Sequence, residues 1–126
     1  MQHATIDQMP QLLKDYYLDI NNNQDGLMAM FTKDRDRMAG FKDWTDKELS
    51  SIKAPSFVIC GDRDVVTCEH TVQMSRIIPN TELMIVPGTH GSFIGEVCSV
   101  EEGSRIPELV TGIIVEFLRK TVEGGR

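Results

Sequence analysis

"FVICGDRDVV", residues 57 to 66, sets four apolar residues against a turn that carries two carboxylates, Asp62 and Asp64. The run Phe57-Val58-Ile59-Cys60 has no polar alternation, which predicts a strand covered on both faces, as in a parallel sheet. Pro55 precedes it, at a strand start that tolerates a missing N–H. Gly61 closes the run, so both aspartates stand just past the carboxyl end of a buried strand.

The arrangement recurs downstream. Leu83-Met84-Ile85-Val86 is a second apolar run, and "PGTHG", 87 to 91, puts His90 beyond its end. Between the runs, Thr67 and Glu69 open a helix containing Met74, Ile77 and Ile78, stopped by Pro79-Asn80. A strand, a helix and a strand in that order form a crossover whose two strands lie parallel. Asp62, Asp64 and His90 are therefore expected at one end of one sheet, where open α/β sheets gather their functional groups.

The flanking segments are helical. Ile106, Leu109, Val110, Ile113, Ile114, Phe117 and Leu118 form one broad apolar stripe, ended by Glu-Gly-Gly. Before residue 52 only helical signals occur. Ile6, Met9, Leu13, Tyr16, Tyr17 and Ile20 predict an amphipathic helix, with Thr5 and Gln8 at capping-box spacing and Pro10 delaying its regular start. "NNNQDG" (21–26) ends it. A second helix carries Leu27, Met30, Phe31 and Met38, with the charged "TKDRDR" (32–37) interrupting its apolar face. Thr45 and Glu48 form another capping-box pair, flanked by Trp44 and Leu49 at the staple positions. The change of character divides the chain into a helical arm, 1–51, and an α/β part, 52–126.

Composition bounds the function. The 126 residues carry a formal charge of −6, which argues against a nucleic-acid or anionic-membrane surface. No apolar run approaches the roughly 20 residues that span a bilayer. "MQHATIDQMP" has no basic region followed by an apolar core, so no secretory signal is read there. Cys60, Cys68 and Cys98 cannot all pair within one chain, and none stands at metal-ligand spacing. A reducing, cytoplasmic setting without metal or cofactor is expected.

The stretch "IKAPSFVICGDRDVVTCEHTVQMSRIIPNTELMIVPGTHGSF", 52 to 93, resembles the carboxyl-terminal part of α/β-hydrolase-fold enzymes. There an apolar strand, Gly-x-x-Asp, a helix, "IPN", another apolar strand and Gly-x-His-Gly follow one another. The terminal helix and the lead-in "DWTDKELSSIKAP" are similar too, and the earlier helices resemble the end of that family's helical cap. The resemblance implies a truncated three-layer α/β-hydrolase-like domain, with a short parallel sheet of about two strands flanked by helices and a helical amino-terminal arm. It matches Asp64 to the triad acid and His90 to the triad histidine, in the order this fold uses. The implied activity is hydrolysis of an ester, amide or related bond of a small molecule through a covalent intermediate, without a cofactor. Val65, Val66 and Phe93 are expected to line the substrate pocket.

One component is missing. No Gly-x-Ser-x-Gly occurs; Ser50, Ser51 and Ser92 lie elsewhere, and Cys60 lies inside a strand. Without a nucleophile the histidine has nothing to activate, so the isolated chain is expected to be inactive. The strand at 57–60 would also lack a neighbour, and an unpaired apolar edge invites association. A homodimer or a complementary chain along that edge is the expected partner. Two other readings stay open. One is a non-enzymatic relic or self-associating interaction module. The other is a magnesium-dependent aspartyl phosphatase, since Asp62-Arg63-Asp64-Val65-Val66 also satisfies Asp-x-Asp-x-(Thr/Val), with Asp62 as nucleophile and Asp64 handling the leaving-group proton.

Overall fold

The computed structural model describes residues 3–124 and divides into two compact units, Met1–Asp43 and Trp44–Arg126. The second unit is α/β. Its sheet has two parallel strands, β1 (Ser56–Gly61) and β2 (Thr81–Val86). Partners run from Ser56 with Thr81 to Gly61 with Val86, a constant offset of 25 positions (81 minus 56, 86 minus 61).

The connection between the strands is a helix, Cys68–Ile77, built as the sequence predicts. Thr67 caps it by accepting the His70 N–H at 3.2 Å. At its far end Asn80 takes a left-handed conformation, φ 53°, that turns the chain into β2. This helix packs against both strands. Next to it lies a short helix, Asp46–Ser50, opened by reciprocal bonds. The Thr45 hydroxyl accepts the Glu48 N–H at 3.3 Å, and the Glu48 carboxylate accepts the Thr45 N–H at 2.8 Å.

Because side chains alternate along a strand, the two sheet faces separate cleanly. Ile59, Met84 and Val86 point to the carboxyl-terminal helix, Ile106–Glu123. With Phe93 and Val110 they form the core, and Val86, Phe93 and Val110 are all buried. Phe57 meets Phe117 with ring centroids 5.2 Å apart, extending that contact. Pro107 stands in the first turn, where a missing N–H costs nothing. On the other face Cys60 is buried, while Leu83 and Ile85 remain exposed. Burial on both faces thus holds for the end of β1 and fails for β2, which the crossover helix covers incompletely.

In the first unit the predicted single helix is two pieces. Ile6–Gln8 is a 3-10 turn whose Gln8 side chain accepts the Thr5 N–H at 3.0 Å. The α-helix proper is Gln11–Asn21, delayed further than Pro10 alone suggested. Asn22, at φ 40°, ends it. Asn23 then caps the helix Gln24–Ala39 by accepting the Gly26 N–H at 3.0 Å. That helix runs unbroken through "TKDRDR", where Arg35–Asp36 and Arg37–Asp34 pair at 2.8 and 3.3 Å on its surface. Among the described residues, no helix is long and apolar enough to cross a membrane.

Candidate catalytic pair at the strand tips

Both strands leave the sheet at the same end, and their exits are bonded to each other. The Asp62 N–H donates to the Val86 carbonyl at 2.8 Å, and the Arg63 N–H to the Gly88 carbonyl at 3.0 Å. Gly61 permits this approach. A Cβ there would strike the Gly88 carbonyl, so no larger residue fits. Gly88 itself has φ 145°, and a Cβ on it would meet the Ser92 hydroxyl.

Asp64 and His90 meet across this junction. The Asp64 Oδ1 lies 2.8 Å from the His90 Nδ1. The Asp64 side chain is only 4% exposed, while the imidazole is 71% exposed. The carboxylate also accepts the Val66 N–H at 3.1 Å and the Gly61 N–H at 3.4 Å. Burial pushes the Asp64 pKa up, but the bonds from Val66, His90 and Gly61 outweigh it and hold the group below its ordinary 3.8. Asp64 is therefore ionised at neutral pH. An ionised carboxylate only accepts, so Nδ1 carries the shared proton. In the neutral ring Nε2 is then the free acceptor, on the exposed side.

The loop bearing His90 is braced by polar side chains that sequence reasoning did not single out for this role. The buried Ser92 hydroxyl accepts the Thr89 N–H at 2.8 Å and donates to the Thr89 carbonyl at 3.1 Å. The Ser99 hydroxyl lies 2.8 Å from the His90 carbonyl and 2.7 Å from a Glu96 carboxylate oxygen, its one proton serving either. Glu96 accepts the Cys98 N–H, and that bond together with Ser99 lowers its pKa. No sequence signal marks Ser99 or Glu96, because their contacts depend on how the loop after His90 folds back.

The remaining predicted residues separate. Val65 and Val66 follow Asp64 directly and are both exposed, 82% and 38%. Phe93 is not on that surface: it is 7% exposed and packs with Val86 and Val110, because the 3-10 turn Ser92–Ile94 drives its ring into the core. Asp62 makes no contact with His90; its carboxylate accepts the Gly88 N–H at 2.8 Å. Among the described residues no serine hydroxyl or cysteine thiol hydrogen-bonds the imidazole, and no cluster of three or more His, Cys, Asp or Glu could hold a metal. A groove of about 520 Å³, bordered by Asp46, Cys68, Val72 and Arg76, lies elsewhere and includes neither member of the pair.

Comparison of the chain with protein-family models, with curated proteins and with solved structures returns no match.

Proposed function

We propose that this chain is the carboxyl-terminal portion of an α/β-hydrolase-fold enzyme that cleaves an ester, amide or related bond in a small molecule. In that reading Asp64 fixes the tautomer of His90 and stabilises the imidazolium. His90 Nε2 takes the proton of an attacking hydroxyl or thiol and returns it to the leaving group. The observation that carries it is the 2.8 Å contact between a buried, ionised Asp64 and an exposed His90 at the tips of adjacent parallel strands. A histidine held by a carboxylate on one nitrogen and open on the other is what proton transfer at neutral pH requires.

The nucleophile comes from another polypeptide segment, and the isolated chain is inactive. Among the described residues, the outer edge of β1 has no partner strand. Added strands there would build the larger three-layer sandwich and bring the nucleophile to Nε2.

The test has two arms. The isolated chain is treated with p-nitrophenyl esters and a fluorophosphonate probe, and neither turnover nor labelling is expected. The DNA upstream is then searched for a frame encoding Gly-x-Ser-x-Gly between a strand and a helix, and that segment is co-expressed with this chain. Labelling that appears on co-expression and is lost in His90→Ala supports the proposal. Labelling indifferent to His90→Ala overturns it.

A further inference from the structure

We infer that Asp62 is a positioning residue for His90: its carboxylate grips the Gly88 N–H and so holds the imidazole-bearing loop within reach of Asp64. Asp62 and Asp64 are two positions apart on the turn after β1, and their partners Gly88 and His90 are two positions apart after β2. Both contacts span 26 positions, one more than the 25 of the paired strands. The extra residue is what the tight passage Pro87-Gly88 absorbs. The two carboxylates thus act as successive clamps on one loop, the first on its backbone and the second on its functional side chain.

The observations make the first clamp more than a surface bond. Gly88 is buried, and the Asp62 oxygen is the acceptor the structure gives its N–H, so removing that oxygen leaves this amide without its protein partner. The Arg63 N–H bond to the Gly88 carbonyl engages the other side of that residue. Gly61 lies against the same carbonyl. Gly88 is therefore held on both its donor and its acceptor, two residues before the imidazole. Asp62 is 51% exposed, and the Arg63 side chain lies 3.7 Å from the same Oδ1. Solvent screens that ion pair, so the backbone bond is the contact that matters. The catalytic meaning of this role rests on the hydrolase reading; the geometric role does not.

The test is nitrogen-15 NMR on the full chain, reading the His90 ring tautomer and the hydrogen exchange of the Gly88 amide. Asp62→Asn keeps an oxygen at the same place, and both readings are expected to stay close to the parent. Asp62→Glu keeps the charge but moves the oxygen by one methylene. Asp62→Ala removes it. In both of these, Gly88 exchange is expected to accelerate about tenfold or more, and the His90 ring to lose its Nδ1-protonated preference. Asp64→Ala should abolish the tautomer preference while leaving Gly88 slow. Should Asp62→Ala fail to fold, the contrast between Asn and Glu decides. Equal behaviour of those two, or a folded Asp62→Ala with both readings unchanged, overturns the inference. No readout needs turnover, so an inactive chain leaves this test intact, and a failed clamp leaves the labelling test intact.

Discussion

The Asp64 Oδ1 and the His90 Nδ1 are 2.8 Å apart, yet one side chain is 4% exposed and the other 71%. The pair straddles the boundary between interior and solvent. A buried carboxylate holds the inner edge of the ring while the outer edge stays open. Replacing Asp64 by Ala removes the acceptor for the Gly61 and Val66 N–H groups as well as for His90. A loss of about 1–3 kcal/mol is expected from unsatisfied donors, read as a lower urea midpoint at unchanged slope. On the proposed hydrolase reading, the same change should also abolish probe labelling of the complemented chain.

Acid should weaken the second unit through the same residue. The folded-state pKa of Asp64 lies below its ordinary 3.8, so the unfolded chain binds its proton first as pH falls. Its stabilising contribution is complete above about pH 5, declines as pH drops through the unfolded value, and is gone below the folded one. Urea midpoints measured between about pH 3 and pH 6 should fall with acid. Asp64→Asn should flatten that part of the curve, and an unchanged slope in the variant would exclude this cause.

Phe93 distinguishes core from pocket. It packs with Val86 and Val110 at 7% exposure, so Phe93→Ala should cost about 3–5 kcal/mol in chemical denaturation. A residue on an open pocket wall would cost far less. Stability close to that of the parent would contradict the packing described here.

The cysteines should be sluggish. Burial raises the Cys68 thiol pKa, helped by the neighbouring Cys60 and by Glu69 and Asp62. Local desolvation and the Glu96 carboxylate raise that of Cys98. Both should alkylate more slowly at pH 7 than a free thiol of pKa about 8.5. Cys60, buried at the end of β1, should react only on unfolding. Glu96→Gln should accelerate Cys98 alone, as measured by mass spectrometry of iodoacetamide adducts.

What could be read from the residues was what depends on local pattern. The apolar runs at 57–60 and 83–86, the Thr67 cap and the stripe from Ile106 to Leu118 are local signals, and each became an element. The meeting of Asp64 with His90 was also accessible, because a parallel crossover forces both strand exits to one end. Phe93 was misplaced because its direction depends on the 3-10 turn after Gly91, which only tertiary contacts fix. The helix through "TKDRDR" was underrated for another reason. Charged residues are tolerated on the solvent face of a helix, so a broken apolar stripe did not mean a broken helix. The bond from the Gly88 N–H to Asp62 was not legible, because its donor is a backbone amide, and backbone donors leave no trace in residue identity.

Since 62 reaches 88 and 64 reaches 90 from one shared turn, loop length and not helix length calibrates the pair. Residues added within Cys68–Ile77 would lengthen a spacer and leave the strand tips aligned. A single deletion at Pro87 or Gly88 would throw both carboxylates off their targets together. Homologous chains should accordingly vary in the crossover and hold the count between Val86 and the histidine fixed.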